Sequence, residues 1–376
     1  MTIGVLKEPQ PEARVSFLPE HITALKKQNV IVLIEAGAGE KAFAADEKYA
    51  EAGASIASRN DVLQKSDLIL SIQPLSENDI ALCKAKVLFG FYQPLFNYGR
   101  IHELSKKGFT IFSIDMLPRT TRAQSMDVLS SQANISGYKA VLLAANLFPK
   151  YFPMFMTAAG SIPPAKLLIL GAGVAGLQAI ATAKRLGAVV EVFDTRPAVK
   201  EEVMSLGAKF VEVEGAADAA KAGGYAVEQS AEFMERQKAR IAESVAKSDI
   251  IITTAQIPGK QAPILITEEM VKSMKNGSVI IDLAAVTGGN TAFTKNDETV
   301  VVNGVSIVGN SRLAGDMPSD ASKLYGKNIL NFLALIIDKE GNLNLNFEDD
   351  LVKGTCIAHA GEITNERVSS LLTAYA

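Results

Sequence analysis

The sequence is poor in cysteine and histidine, the side chains on which most zinc sites depend. It holds two cysteines and three histidines in 376 residues, and Cys83 and Cys356 lie far apart in the chain. A disulfide framework or a structural zinc site needs more cysteines at closer spacing. We therefore expect no metal, two small buried or half-buried thiols, and a reducing, cytoplasmic compartment.

The sequence also lacks a long apolar run and a surplus of positive charge. No unbroken apolar stretch reaches about 18 residues, so we do not expect the chain to span a membrane. No basic segment followed by an apolar one stands at the N-terminus, so no signal peptide is expected. The formal net charge is −3, which argues against nucleic-acid binding because that function usually needs a basic face.

What is present is typical of a globular α/β protein. Hydrophobic residues make up 48% of the chain, and at roughly 100–200 residues per domain this length suggests two or three domains. Apolar runs alternate with helical patterns in the first third, which predicts βαβ units. The predicted strands there are Thr2–Lys7, Val30–Glu35, Leu68–Ile72, Val87–Phe91 and Thr110–Ile114. Predicted helices include Pro19–Gln28, Ala45–Ala52 and, further on, about Ser125–Phe148.

A second alternating series starts at Lys166 and has the strand number of a doubly wound dinucleotide fold. Its predicted strands are Lys166–Leu170, Val189–Phe193, Phe210–Val213, Asp249–Thr254, Ser278–Leu283 and Val305–Val308. A last helix, about Ala321–Asp338, and a short tail are too small to fold alone. We therefore predict two Rossmann-like, doubly wound parallel-sheet domains, with the nucleotide site in the cleft between them. Their predicted extents are 1–125 plus 315–376 for the discontinuous domain and 126–314 for the other.

A glycine fingerprint follows the first strand of the second series. Gly171, Gly173 and Gly176 come directly after KLLIL and open a helix, which is the context that a dinucleotide-binding turn needs. In such a turn the first glycine permits the bend, the second admits the pyrophosphate and the third lets the helix pack closely. Asp194 ends the next strand and can accept hydrogen bonds from both ribose hydroxyls while repelling a 2′-phosphate. This favours NAD(H), although Arg196 could neutralise a phosphate there.

Two further segments stand out. The stretch 214–229 has little apolar content and a Gly-Gly pair, and loops of that length are often functional lids; a disordered excursion is the alternative. A polar cluster, Arg119 to Gln132, follows the strand FTIFSID and leads into the long helix. Its side chains could converge on a ligand, or the segment could be an ordinary helix start capped by Ser125.

The histidines do not supply an obvious proton carrier. A dehydrogenase that oxidises an alcohol or amine needs a group that moves a proton, often histidine or lysine. We expect none of His21, His102 and His359 at the carboxyl end of a strand, where ligands gather in such folds. Each is expected to be a surface or helix residue.

At the polar cluster and the glycine turn the sequence resembles a known family. RTTRAQSMDVLSSQANISGYKAVLLAA and MTAAGSIPPAKLLILGAGVAGLQAIATAKRLGAVVEVFDTR are similar to the NAD(H)-binding component of the proton-translocating NAD(P) transhydrogenases. AGGYA, ITTAQIPGKQAPILITEEMVKSMKNGSVIIDLAAVTGGN and GTCIAHAG match as well, so the resemblance covers nearly the whole chain. Alanine dehydrogenases are the nearest relatives in fold and sequence. One departure is Gln256, where the family pattern has an aliphatic residue.

The resemblance implies a role for each matching position. The pyrophosphate turn matches at Gly171, Gly173, Val174 and Gly176. The adenosine-ribose site matches at Asp194, Thr195 and Arg196. The nicotinamide side, where the reaction takes place, matches at Arg119, Gln124, Asp127 and Ser130; in the family the arginine and aspartate hold the carboxamide and the glutamine reaches toward the partner's nucleotide. The tip of the mobile loop matches at Gly224 and Tyr225, and a further cofactor contact is implied at Ala255.

The implied activity is direct hydride transfer from NADH bound here to NADP⁺ on a partner subunit, the Re/Si-specific reaction of the alpha subunit. Such a reaction needs proximity and orientation and exchanges no proton in the chemical step, which would account for the missing acid and base. The implied partners are a second copy in a homodimer, an NADP(H)-binding beta subunit and a membrane-spanning subunit that translocates protons. The chain would then lie peripherally on the inner (plasma) membrane.

Two other hypotheses remain open. The first is a free-standing alanine dehydrogenase, which the chain resembles at Lys7, Glu8 and Arg14. However, Gln73 and the segment GFYQP around Tyr92 occupy the regions where that enzyme has a lysine and a histidine, and Val286 is near the position of its aspartate. The second is a non-catalytic NAD-binding regulatory module, which would not need the polar cluster.

Overall fold

The structure, a computed structural model, describes residues 1–213 and 230–374. Its strands, in chain order, are β1 Thr2–Val5, β2 Ile31–Glu35, β3 Ser55–Ala57, β4 Leu68–Leu70, β5 Val87–Gly90, β6 Thr110–Ser113, β7 Phe155–Thr157, β8 Gly160–Ile162, β9 Lys166–Leu170, β10 Val189–Phe193, β11 Lys209–Phe210, β12 Ile250–Thr253, β13 Val279–Asp282, β14 Thr299–Val302, β15 Val305–Val308, β16 Cys356–His359 and β17 Glu362–Ile363. Its helices are α1 Pro19–Lys26, α2 Asp46–Ala52, α3 Arg59–Lys65, α4 Glu77–Leu82, α5 Tyr98–Ser105, α6 Val128–Leu147, α7 Val174–Arg185, α8 Lys200–Ser205, α9 Ala231–Lys247, α10 Glu268–Ser273, α11 Pro318–Leu333, α12 Asp350–Thr355 and α13 Glu366–Ala374.

The chain divides into two compact units. Unit 1 is Met1–Gln132 together with Gly315–Ala376, and unit 2 is Ala133–Ala314. The domain boundary that the sequence predicts lies slightly earlier, between residues 125 and 126, because the helical pattern starts near Ser125. Helix α6 itself continues across the division. No helix in the described ranges is long and apolar enough to cross a membrane.

Unit 1 is built on a mostly parallel sheet. Its strand order is β17-β16-β6-β5-β4-β1-β2-β3. The strands β1 to β6 pair in parallel, while β16 is antiparallel to β6 and β17 is antiparallel to β16. The order reverses at β1, which lies between β2 and β4. Ligands gather at the carboxyl ends of strands beside such a reversal.

The C-terminal segment completes the core of unit 1. Tyr325, Ile329 and Phe332 recur at helical spacing on α11 and are fully buried, so one face of that helix packs inward. The Phe332 ring lies 5.2 Å from that of Phe89 on β5 and 5.8 Å from that of Phe112 on β6. Burying each of these aromatic side chains stabilises the unit by about 2 kcal/mol.

Unit 2 is built on the sheet that the glycine fingerprint predicts. Its strand order is β11-β10-β9-β12-β13-β15-β14, and the order reverses at β9, the strand that leads into the glycine turn. All neighbours except β14 and β15 are parallel. Two mostly parallel sheets with connecting helices confirm the predicted α/β class with Rossmann-like domains.

The antiparallel hairpin at the edge of the unit 2 sheet was not predicted. Strands β14 and β15 are joined by Asn303 and Gly304, whose φ angles are 49° and 71°. Asn-Gly with positive φ at both positions is the favoured two-residue hairpin turn, because its twist matches that of the flanking strands. The local Asn-Gly signal is therefore sufficient to predict the edge strand β14.

Candidate nucleotide site

The glycine-rich turn of unit 2 joins β9 to α7. Gly171 has a left-handed backbone with φ +108°, and its N–H donates to the carbonyl of Phe193 at 2.8 Å. L-residues with a Cβ rarely adopt such a φ, and a Cβ at Gly171 would also overlap the hydroxyl of Thr254. The tight bend after the strand therefore requires glycine at its first position.

The other two glycines have opposite surroundings. A Cβ at Gly176 would overlap the carbonyl of Gly171, and it would lie 3.5 Å from the Ile169 side chain. This glycine therefore lets the helix lie against the turn and the strand. Among the described residues, a Cβ at Gly173 would meet no atom within 4 Å. The open space at Gly173 is the feature that a ligand approaching the backbone needs.

Helix α7 presents its N-terminus at this open space. Gly173 is the N-cap, and Val174 is the first helical residue. The first N–H groups of a helix have no partner within the helix, and the helix dipole favours an anion beside them. The turn thus fits the pyrophosphate of a dinucleotide.

Asp194 follows β10 and has its carboxylate fully engaged. Its side chain is 6% exposed. Oδ2 accepts from the Ala172 N–H of the glycine turn at 2.7 Å and from Arg196 Nη2 at 2.8 Å. Oδ1 accepts from the backbone N–H and the Nε of Arg196 at 2.8 and 2.9 Å. The hydrogen bond to Asp194 raises the pKa of the Arg196 guanidinium above its ordinary value. Thr195, between the two, is half-buried.

The carboxyl ends of β12 and β13 are tied together by Asn290, a fully buried residue that the sequence reasoning did not single out. Its side-chain amide accepts from the N–H of Ala255 at 3.1 Å and donates to the carbonyl of Ala255 at 2.9 Å. Its own N–H donates to Asp282 Oδ2 at 2.6 Å. Gln256 is exposed and donates from Nε2 to the carbonyl of Leu283 at 2.8 Å. The polar amide of Gln256 therefore has a structural partner where an aliphatic side chain would have none.

The polar cluster of unit 1 lines a cavity of about 390 Å³. Arg119, Gln124 and Asp127 are all on its wall. Ser130 is not among the lining residues, but its hydroxyl donates to Asp127 Oδ2 at 2.6 Å. The remaining lining residues are Ile114, Asp115, Leu117, Pro118, Thr120, Thr121, Ala123 and Leu129. The structure therefore brings together three of the four predicted nicotinamide-side residues and links the fourth to them.

Asp127 is also the residue that caps α6. Its Oδ1 accepts from the backbone N–H of Ser130 at 2.9 Å, which is the N-cap geometry at the third helical position. Capping by Ser125, the alternative raised from the sequence, is wrong, because Ser125 lies inside the 3₁₀ turn Thr121–Met126. The carbonyl of Ser125 instead accepts from the amides of Asn328 and Asn331 on α11.

Asp115 is a cavity residue that the sequence reasoning missed. It follows β6, and burial raises the pKa of its carboxyl above the ordinary value. Hydrogen bonds from the Ser113 hydroxyl, at 2.5 Å, and from the backbone of Gln93 act in the opposite direction. Gln93 has a left-handed φ of 47°. The available signal was an acidic residue directly after a predicted strand, in FTIFSID.

The three histidines all lie in the described ranges, and none of them lines the cavity. Burial lowers the pKa of His21, which lies on α1, and His102 lies on α5. The expectation for His359 is wrong, because it is the last residue of β16. That strand runs antiparallel to β6, so its carboxyl end lies beside the start of β6, where His359 Nδ1 is 2.9 Å from the Thr110 hydroxyl.

The predicted lid and its tip, Gly224 and Tyr225, lie outside the described residues. Their assignment therefore rests on the sequence alone.

The parallel sheet and the glycine turn at its order reversal define a Rossmann-type dinucleotide-binding protein. The pattern of the family "Alanine dehydrogenase/PNT, N-terminal domain" matches residues 4–136, and that of its "C-terminal domain" matches residues 140–366. The chain belongs to the alanine dehydrogenase/PNT family.

Individual relatives agree with this membership. The chain is 46% identical over 376 residues to an NAD(P) transhydrogenase alpha-subunit polypeptide of Rhodospirillum rubrum, covering 97% of this chain and 98% of the relative. It is 43% identical to "NAD(P) transhydrogenase subunit alpha" of Haemophilus influenzae, and the match covers 96% of this chain and 71% of that relative. Its structure matches the crystal structure of transhydrogenase from Sinorhizobium meliloti with a TM-score of 0.88 at 44% identity. The match covers 96% of this chain and 100% of that chain.

Proposed function

We propose that this chain is the NAD(H)-binding component of a proton-translocating NAD(P) transhydrogenase. NADH bound here would pass its hydride directly to NADP⁺ held by a partner subunit. Proton translocation would take place in a separate membrane-spanning subunit. The chain would lie peripherally at the cytoplasmic face of the inner membrane, held there by its partners.

The composition of the cavity in unit 1 carries this proposal. Arginine, glutamine and aspartate line it, and the lining residues within the described part include no histidine, lysine or cysteine. Transfer between two nicotinamides needs a site that orients the rings and excludes water, and it does not require a histidine or lysine to carry a proton. The similarity to transhydrogenase alpha subunits over nearly the full chain supports the same conclusion.

Each group of residues would have one task. The turn Gly171–Gly176 and the start of α7 would hold the pyrophosphate, and Asp194 would bind the adenosine ribose. Arg119 and Asp127 would orient the carboxamide and so fix the face of the ring. NADH supplies the hydride when bound, and the side chains only position it. Gln124 would face the second nucleotide.

The alanine dehydrogenase alternative finds less support in the geometry. Arg14, one of the positions at which the chain resembles that enzyme, is only 14% exposed. Its Nε and Nη2 donate to Glu12 at 2.8 and 2.7 Å, and its Nη1 donates to Gln132 at 2.8 Å. A substrate carboxylate would therefore compete with the Glu12 carboxylate, which already holds the same guanidinium.

A homodimer is part of the proposal, and exposed apolar side chains support it. Strands β7 and β8 form a separate two-stranded sheet. Met156 is 78% exposed and Met154 is 61% exposed, and the rings of Tyr151 and Phe155 lie 4.5 Å apart beside them. Contiguous exposed apolar side chains mark association surfaces. We propose that a second copy of the chain covers this hairpin.

The test mixes the purified chain with an isolated NADP(H)-binding transhydrogenase component and follows NADH-dependent reduction of an NADP⁺ analogue. We expect turnover with the mixture and none with either protein alone. A parallel assay gives the chain L-alanine and NAD⁺. NADH formation from alanine, together with no turnover in the mixture, would establish the alternative.

A further inference from the structure

The carboxylate of Asp194 has no acceptor position to spare. An ionised carboxylate offers about four lone-pair positions. Four donors occupy them: the N–H of Ala172, the N–H of Arg196, and Nε and Nη2 of Arg196. All four contacts lie between 2.7 and 2.9 Å. A ribose that binds to Asp194 must therefore replace a donor that is already there.

Only two of the four donors can leave without moving the backbone. The N–H of Ala172 belongs to the glycine turn and the N–H of Arg196 to the chain after β10, so both are fixed by the fold. The guanidinium of Arg196 stands at the end of a flexible side chain, which is 20% exposed. It contributes two hydrogen bonds, one to each carboxylate oxygen, and a ribose diol also has two hydroxyl donors.

We infer that Arg196 is a specificity-determining residue which the adenosine ribose displaces from Asp194. Two guanidinium hydrogen bonds are exchanged for two hydroxyl hydrogen bonds, and the cation is released beside the ribose. This inference rests on the proposed NAD(H) site, but it does not depend on which acceptor receives the hydride.

The exchange sets how strongly the site rejects a 2′-phosphate. A lone, nearly buried aspartate repels that phosphate, whereas the ion pair with Arg196 cancels much of the negative charge and keeps a cation within reach. Arg196 therefore weakens discrimination against 2′-phosphorylated nucleotides. It also lowers affinity for the unphosphorylated ribose, because the ion pair must be broken first.

Adenosine fragments test this without involving hydride transfer. Dissociation constants of 5′-ADP and 2′,5′-ADP are measured for the unaltered protein, for Arg196→Ala and for Arg196→Lys. Arg240→Ala is the matched control, since Arg240 is a half-buried arginine of the same unit paired with Glu243 on α9. We expect Arg196→Ala to weaken the binding of 2′,5′-ADP by about tenfold and to tighten the binding of 5′-ADP, because no ion pair has to be broken. Arg196→Lys should be intermediate, and Arg240→Ala should change neither constant.

A crystal structure of the unaltered protein with 5′-ADP gives a second measurement that does not require a variant to fold. We expect the ribose hydroxyls on Asp194 and the Arg196 Nε and Nη2 beyond hydrogen-bonding distance from it. The inference is overturned if the ion pair stays closed in that complex, or if Arg196→Ala changes both constants equally or neither.

The inference and the proposed function fail in different ways. If the protein does not bind 5′-ADP, both the exchange and the nucleotide site are wrong. If the fragments behave as expected but the mixture of components gives no hydride transfer, only the transhydrogenase assignment fails.

Discussion

Asp127 caps a helix and also lines the cavity, so one substitution can alter stability and the site together. Its carboxylate bonds both the N–H and the hydroxyl of Ser130. Sequence reasoning selected Asp127 from its place in the polar cluster and from the family resemblance, and the cap explains why the side chain is held in a fixed position. A pair of substitutions can separate the two roles, because asparagine is as good an N-cap as aspartate.

We expect Asp127→Asn to keep the stability of the protein and Asp127→Ala to lower it by about 1 kcal/mol. Both should slow hydride transfer by tenfold or more, because each removes the carboxylate charge from the cavity. Chemical denaturation and the two-component assay measure the two effects. Equal transfer rates for Asp127→Asn and the unaltered protein would show that the charge has no role.

Asp115 is a cavity carboxyl whose replacement should leave the rate of hydride transfer almost unchanged. It tests whether a proton is exchanged, because a carboxyl at this place could move one. Asp115→Asn keeps an oxygen that can accept from Ser113 and from the backbone of Gln93. If no proton is exchanged, the maximal rate of hydride transfer should stay within about threefold of the original, a small barrier change. Loss of about a hundredfold or more, the usual effect of removing a general acid or base, would contradict direct transfer.

Single residues also show where sequence reasoning stops. Arg119, Gln124 and Asp127 were predicted as site residues because they follow a predicted strand and match a family pattern. Asn290 was missed, since nothing local shows that its amide reaches the backbone of Ala255, which is distant in sequence. The saturation of Asp194 was equally invisible, because it depends on where the glycine turn and Arg196 meet.

At the scale of elements, the glycine turn joins β9 to α7, and its positions Gly173 and Gly176 differ in how much space a side chain would have. A methyl group at Gly176 would overlap the carbonyl of Gly171, whereas one at Gly173 would meet no atom of residues 1–213 and 230–374 within 4 Å. The two positions form a matched pair for separating folding from binding.

We expect Gly173→Ala to fold with unchanged stability, to within about 0.5 kcal/mol, and to bind NADH at least tenfold more weakly, because its methyl group fills the space of the pyrophosphate. Gly176→Ala should lower the thermal midpoint by several degrees, because its methyl group forces α7 away from the turn. Thermal unfolding and NADH titration measure both. Unchanged NADH affinity in Gly173→Ala would place the pyrophosphate elsewhere.

Strands were predictable where their pattern is local. β9, β10 and β15 begin and end at the predicted residues, since each is an apolar run bounded by turn residues. β14 was missed although Asn303-Gly304 signals its hairpin. β16 and β17 could not be found locally, because β16 is fixed by pairing with the distant strand β6.

At the scale of the whole molecule, the hairpin β7–β8 bears on assembly. We expect Met156→Lys to shift the protein from dimer toward monomer in sedimentation velocity, because a charge would be buried where two copies meet. Met204→Lys is the control, since Met204 is 55% exposed on α8 of the same unit. If the Met156→Lys protein stays as fully dimeric as the Met204→Lys control, the interface lies elsewhere.

The central claim is that hydride passes directly between two nucleotides with no exchange with water. NADH that carries deuterium at the transferred C4 position is mixed with this chain, the NADP(H)-binding component and NADP⁺, and the NADPH formed is analysed by mass spectrometry. The account predicts that essentially all of the deuterium appears in NADPH. Deuterium released to water, with the NADPH formed left unlabelled, would contradict it.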